Sequence, residues 1–424
     1  MQQEMEKLEK TSQKQIVKVL LSTITGNLGS NILAFVIGLL ILRETNSALN
    51  FGISQMIGPI VALLLLPVTG SMVDRFNRKL IIVYAQLLSM VSLAVYAVVI
   101  YFQGFEHLIY TYLLLIMLKV ADQFLTTAFT ASVLHIVITE HIQKLKSIQQ
   151  GVTALIMIIA PIFGALLYNL IPLTAFVLIE IGIECLTLVI VLWINFDLTR
   201  GSGESHEEMA SGSFFELFKE GLQFMAKSRK LIFTMVFSMI INFMAGAIHV
   251  GLPFLQIQVL HFSNSVYGIV EALFSVGMIA SSIVLSASKE IKTPLAYSWK
   301  MTNAIGLLLV LLGCSLFFAF SQGYYIAFVA IYSFLTGAFI TLVNVPISIW
   351  MTKEIPMQFQ GRVFNILGTG GQLLMPLGIL LFSGLFDHFS PAMIFTIAGS
   401  CLLIFTLCYP FVFKVNMKES KLLD

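Results

Sequence analysis

Apolar residues run through this chain in long blocks and do not alternate with polar ones. Twelve blocks are each about twenty residues or longer: 16–42, 50–72, 79–102, 108–135, 147–169, 172–195, 230–258, 265–288, 293–319, 324–351, 362–386 and 391–415. A helix of ~20 residues rising 1.5 Å per residue crosses ~30 Å of hydrocarbon. The ~10-residue alternating segments of a membrane barrel are absent, and only helices satisfy their own backbone polar groups over spans of this length. The pattern therefore predicts twelve membrane-crossing helices. The longest polar break, "FDLTRGSGESHEEMASGS" at 196–213, is rich in Gly, Ser and Glu and reads as a flexible linker. It leads into "FFELFKEGLQFMAKSRK", 214–230, where apolar residues fall at helical spacing. That stretch predicts an amphipathic helix at the membrane surface, or alternatively one that binds a partner.

The linker divides the chain six spans plus six, and the halves echo one another at an offset near 215. Asn27 maps to Asn242, "NFGISQ" (50–55) to "VYGIVE" (266–271), and Pro161 to Pro376. A duplicated six-helix unit follows, a plan that puts a substrate site near the midplane between halves. The expected organisation is a six-helix bundle over 1–195, a cytoplasmic linker with its amphipathic helix over 196–229, and a second bundle over 230–424.

Composition agrees with the pattern. Of 424 residues 58% are hydrophobic and 11% charged, with mean hydropathy +0.93; soluble domains carry about 25% charged residues. With the N-terminus inside, 22 of the 24 Lys and Arg fall in cytoplasmic segments, Arg43 and Lys119 being the exceptions. This bias predicts that both termini are cytoplasmic. The net charge of +2 belongs to topology and points to no nucleic acid. All four cysteines (Cys185, Cys314, Cys401, Cys408) lie in spans, where they read as packing residues, not disulfides. No cleavage pattern follows the first apolar block, so that block is expected to act as the insertion signal. There is no Gly-x-x-x-x-Gly-Lys-Ser/Thr loop, no Cys/His metal spacing and no Ser/His/Asp set, so neither ATP drive, a cofactor nor an enzyme is indicated.

Between spans two and three lies "GSMVDRFNRK", residues 70–79, with four charges in ten residues. It resembles the loop 2–3 signature of the major facilitator superfamily, Gly-x-x-x-Asp-Arg-x-Gly-Arg-Arg/Lys. Gly70, Asp74, Arg75, Arg78 and Lys79 match, and Asn77 replaces the second glycine. The resemblance implies a cytoplasmic gate. In it Gly70 would allow close helix approach, Asp74 would meet an opposing helix N-terminus, and the basic residues would pair with Asp74 or hold the inner leaflet. Asn77 would keep the turn by tolerating positive φ. Positive-inside topology alone would explain Arg75, Arg78 and Lys79 but neither Gly70 nor Asp74.

"EIPMQFQGRVFNILG" (354–368), with Gly361 and Arg362, is similar to the helix 10–11 segment of the macrolide-efflux type of drug:proton antiporters. So are "VITEHIQKLKSIQQ" (137–150), "YGIVEALFSVGMIASS" (267–282) and "FKEGLQFMAKSRKL" (218–231). The likeness runs nearly end to end. It implies an all-α membrane protein with the twelve-helix major facilitator fold in two pseudo-symmetric six-helix bundles, alternating access, and a monomer. Two departures stand out. Helix 4 carries Lys119 and Asp122 where many members have arginine and glycine, and the Gly-rich antiporter run of helix 5 survives only as Ala160-Pro161 with Gly164-Ala165.

Charges inside spans cost at least ~2.5–3.5 kcal/mol at the bilayer centre and call for a role or a partner. Lys119 and Asp122, three apart, share a helix face; Asp122 reads either as a proton carrier with Lys119 as counter-ion or as half of a structural pair. Glu180 and Glu184, four apart with no evident basic partner, point to proton binding or, on a peripheral helix, to packing against helix 5 or reaching inward. Glu271 is a proton or cation contact or an exposed rim charge. His249 titrates near neutral pH or is merely hydrogen-bonded. Asn27, Asn31, Asn242 and Asn344 read as cavity contacts or as polar glue between helices. The 35 Phe and 19 Met are available for an adaptable apolar pocket, or simply face lipid. The expected function is a secondary transporter of the plasma membrane, exporting an amphipathic small molecule against protons. Uptake of a metabolite, or a non-transporting sensor or scaffold, are the alternatives.

Overall fold

The computed structural model describes residues 2–105, 107–198, 214–289 and 291–413. They form fourteen α-helices: α1 (Gln2–Thr45), α2 (Ala48–Arg75), α3 (Arg78–Gln103), α4 (Leu108–Ile136), α5 (Thr139–Tyr168), α6 (Leu173–Leu192), α7 (Phe214–Ala226), α8 (Arg229–Phe254), α9 (Asn264–Ala287), α10 (Pro294–Ser315), α11 (Gln322–Glu354), α12 (Met357–Gln372), α13 (Met375–His388) and α14 (Pro391–Phe413). A π turn, Leu255–Val259, follows α8. Twelve stretches are long and apolar enough to cross a membrane, Ile366–His388 across α12 and α13 among them. Large apolar side chains such as Leu64, Phe102 and Phe411 stand 70–81% exposed on their flanks, a surface that only lipid would cover. Among the described residues there is no strand. The protein is a multi-pass membrane protein.

Proline sets the irregularities. Pro376 cannot donate to residue 372 and crowds that carbonyl, so the apolar block expected as one span breaks into α12 and α13. Pro253 likewise leaves the carbonyl of His249 without its usual donor, and the ladder widens into the π turn two residues later.

Two compact units emerge. The first comprises residues 1–37 and 60–211; the second comprises 38–59 and 212–424. The end of α1 and the start of α2 thus group with the C-terminal helices and not with the rest of their own helices. In the first unit α3 packs on α4 and α6, over a core that includes Ile82, Ile136, Leu145 and Val191. In the second, α9 lies on α11 and α10 on α14. Where α9 crosses α11, a Cβ at Gly277 would run into the carbonyl of Phe334 and one at Gly337 into that of Phe274. The small residues bring the two backbones into contact, which is how helices gain van der Waals energy without a hydrophobic drive from lipid. The end of α7 packs on protein: Phe224 stacks on Phe359 at 4.6 Å, and Met225 is buried with Trp350, Met351 and Val363. Residues 199–213 of the linker lie outside the described residues.

Candidate functional site

Within the first unit a cavity of about 480 Å³ opens among α1, α3, α4, α5 and α6. Two thirds of its lining is polar: 16 of 24 residues, with Lys119, Lys146, Asp122 and Glu184 as charges. Asn27 and Asn31 line it from α1, and Gln149 and Gln150 from α5. It holds one aromatic ring, Phe129, and no methionine. The Phe- and Met-built pocket that the composition offered is therefore not what this cavity is made of.

Lys119 donates to Asp122 at 3.0 Å along one face of α4, and both side chains are about 40% exposed (41% and 39%) on the cavity side. The Asn31 amide donates back to the carbonyl of Asn27 at 2.7 Å. On α6, Glu180 and Glu184 are buried, at 2% and 5% exposure, and they turn inward instead of packing on α5. The Gln86 amide on α3 donates to the Glu184 carboxylate. Thr187, one turn on, donates to Thr25 of α1 at 2.7 Å. Glu180 rests against Gly29 of α1, where any Cβ would meet its carboxylate. Neither glutamate has an ion-pair partner among the described residues. Asp122 is close enough to interact electrostatically with both. Three acids and one internal lysine thus share a neighbourhood, with Glu184 and Asp122 on the cavity wall and Glu180 behind it.

The other candidates fall elsewhere. Glu271 on α9 accepts from Gln256 of the π turn at 3.1 Å. Asn242 donates to the carbonyl of Ser238 at 2.9 Å, while His249 and Asn344 are exposed. All four belong to the second unit.

The loop 2–3 residues act locally. Arg78 donates to the carbonyl of Ala131 at 2.7 Å, near the end of α4. Lys79 donates to Leu192 at 3.1 Å, at the end of α6, and lies 5.9 Å over the Phe196 ring. Cations at helix C-termini complement the dipole. Arg75 is exposed. Two expectations need correction. Among the described residues nothing lies within 4 Å of where a Cβ of Gly70 would sit, so none of them approaches closely enough to demand glycine there. Asn77 has φ −63 and caps α3, its side chain accepting from Lys79 N and Leu80 N. It is suited to its position as an N-cap, not by tolerance of positive φ. The side chains of Asp74, Gly361 and Arg362 lie outside the described residues.

Sequence reasoning missed Gln86, the amide inside the apolar run of α3, although a polar residue in such a run is itself a signal. It also missed Asp387. That carboxylate, at the end of α13, accepts from Ser47 Oγ (2.7 Å), Ala48 N (2.6 Å) and Leu49 N (3.2 Å), the free donors at the start of α2. Beside it Arg43 donates to the carbonyl of Phe262 (2.6 Å) and to Asn264 (2.9 Å). All these residues belong to the second unit.

Among proteins of known sequence, the chain is similar to macrolide efflux protein A of Streptococcus pyogenes, 20% identical over 393 residues that cover 92% of this chain and 94% of that one. It is 24% identical over 411 residues to YfiS, an uncharacterised MFS-type transporter of Bacillus subtilis strain 168, covering 94% and 93%. The crystal structure of the nucleoside transporter NupG superposes with a TM-score of 0.70 over 95% of this chain and 100% of that one, at 13% identity. The likeness is one of fold. The model of the Major Facilitator Superfamily matches residues 19–293. With that match across most of its length, and twelve helices fit to cross a membrane, this chain belongs to the Major Facilitator Superfamily.

Proposed function

We propose that the chain is a secondary active transporter of the cell membrane that exports amphipathic small molecules in exchange for protons, both termini being cytoplasmic. The observation that carries the reading is the meeting of Glu184, Asp122 and Lys119 on a polar cavity inside a membrane-spanning bundle. Acids placed there at a cost of several kcal/mol serve a solute or an ion. Glu184 is the proton carrier: it is buried, uncompensated by a cation and held by the neutral amide of Gln86, which suits it with or without its proton. Lys119 neutralises Asp122 until a cationic substrate group displaces it. The similarity to a macrolide efflux protein supports export, and the loop 2–3 residues serve as the cytoplasmic gate. The largely polar wall favours a second reading, uptake of a hydrophilic metabolite.

The test uses inside-out vesicles energised to an acidic lumen, read with a pH-sensitive dye while macrolides, lipophilic cations and sugars are added. Compound-specific proton release, lost in Glu184→Gln and weakened in Asp122→Asn, is expected. Release unchanged in both variants would remove these acids from coupling. Sugar-specific flux with no drug response would replace export by uptake.

A further inference from the structure

Gln256 is wholly buried, at 0% exposure, in the π turn after α8. Its amide is half satisfied. Nε2 donates to Glu271 Oε1 at 3.1 Å, while Oε1 is buried with no partner. An amide oxygen left so is destabilising, and the group beside it can supply the missing donor. A carboxyl carrying its proton has one O–H. Set against a primary amide it closes a two-bond ring, amide N–H to acid C=O and acid O–H to amide C=O. The carboxylate form has no O–H and leaves Oε1 unpaired. Glu271 has no ion-pair partner among the described residues. Tyr267, one turn earlier on α9, interacts with it electrostatically; His249 and His261 flank the π turn in sequence, and α11 carries Tyr324, Tyr325, Tyr332, Lys353 and Glu354. Arg43 is engaged elsewhere.

The same turn grips the end of α1. The carbonyl of Gln256 accepts from Phe262 N at 2.8 Å, and the carbonyl of Phe262 accepts from Arg43 at 2.6 Å. Gln258 donates to the carbonyl of Leu42. Between them His261 holds φ +52, a left-handed conformation that non-glycine residues keep when surrounding contacts impose it. One residue therefore touches Glu271 with its side chain and, one hydrogen bond removed, the clamp on α1 with its backbone.

We propose that Glu271 and Gln256 form a buried proton-binding site, and that its occupancy sets how firmly the π turn holds the end of α1. With the proton bound, the acid–amide ring is closed and the turn is fixed. When the proton leaves, the carboxylate faces the amide oxygen, Gln256 must turn away, and the hold on Leu42 and Arg43 slackens.

Infrared spectra of the protein in lipid nanodiscs, taken across neutral to alkaline pH, test the site. A protonated-carboxyl band is expected at neutral pH. It should vanish in Glu271→Gln and move in Gln256→Leu, where the acid loses its acceptor. Spectra of the parent and Glu271→Gln with no difference in that region at any pH would overturn the site. The clamp is read in a background lacking the four cysteines, with Leu42→Cys at a position of 0% exposure and the exposed Glu44→Cys as control for thiol ionisation. Modification by a membrane-impermeant maleimide, relative to the control, should rise about tenfold with pH and be flat in Glu271→Gln. The same rise in that variant would sever the clamp from the site. Neither reading needs a transported solute, so each can fail while the export reading stands.

Discussion

At the scale of single residues, Asn77 serves as an N-cap where the sequence suggested tolerance of positive φ. As an N-cap, its replacement by alanine removes an acceptor from two backbone donors and costs ~1 kcal/mol, whereas glycine costs only a few tenths. Melting curves of Asn77→Ala and Asn77→Gly in detergent should fall in that order; a stabilised glycine variant would restore the positive-φ explanation. Much of the cavity's chemistry was legible at this scale, because Lys119, Asp122, Glu180 and Glu184 stand out against apolar neighbours. Their partners were less so. The fit of Gly29 to Glu180 depends on which faces of α1 and α6 meet, and no spacing within either helix carries that information. Asp387 looked like an ordinary charge at the end of a span. Only the fold brings the start of α2 to it.

At the scale of elements, length and hydropathy placed the helices to within a few residues at most ends, because an apolar block must span the bilayer as a helix. What they left out are the interruptions. The turn at Leu373–Leu374 and the π turn each follow from one proline acting on the hydrogen-bond ladder, and proline within α5, α11 and α14 leaves those helices continuous. Whether a proline breaks or merely strains a helix is decided by its neighbours in space. The amphipathic period of α7 was visible, but not that Phe359 of α12 would stack on its Phe224. The crossing of α9 on α11 gives a prediction at this level. Gly277→Val pushes two methyl groups into the Phe334 carbonyl and should destabilise the protein by ~1–3 kcal/mol, or prevent folding, in thermal melts of the purified protein. An unchanged melting temperature would mean that the helices can part there without cost.

For the whole molecule, the division that matters differs from the six-plus-six reading in one corner: residues 38–59 pack with the C-terminal helices. Leu39, Ile41, Leu42, Ala48 and Phe51 in that corner are 0–2% exposed. A C-terminal fragment, 212–424, expressed alone should lack this cover and run as aggregates in size-exclusion chromatography. Supplying residues 1–211 as a second chain should restore a single monodisperse species. A well-behaved lone fragment would show that the corner is not needed.

The clasp of Asp387 on the start of α2 also has a history in time. Its two sides lie 339 residues apart in the chain. A ribosome adding ~5–20 residues per second needs roughly 17–68 s to travel that distance. For that interval the nascent α1–α2 corner is already made while its counterpart has not been synthesised. Newborn protein therefore passes through a stage in which two helix ends await a late-arriving carboxylate. The membrane's insertion machinery has that long either to shield the corner or to lose it to a wrong partner.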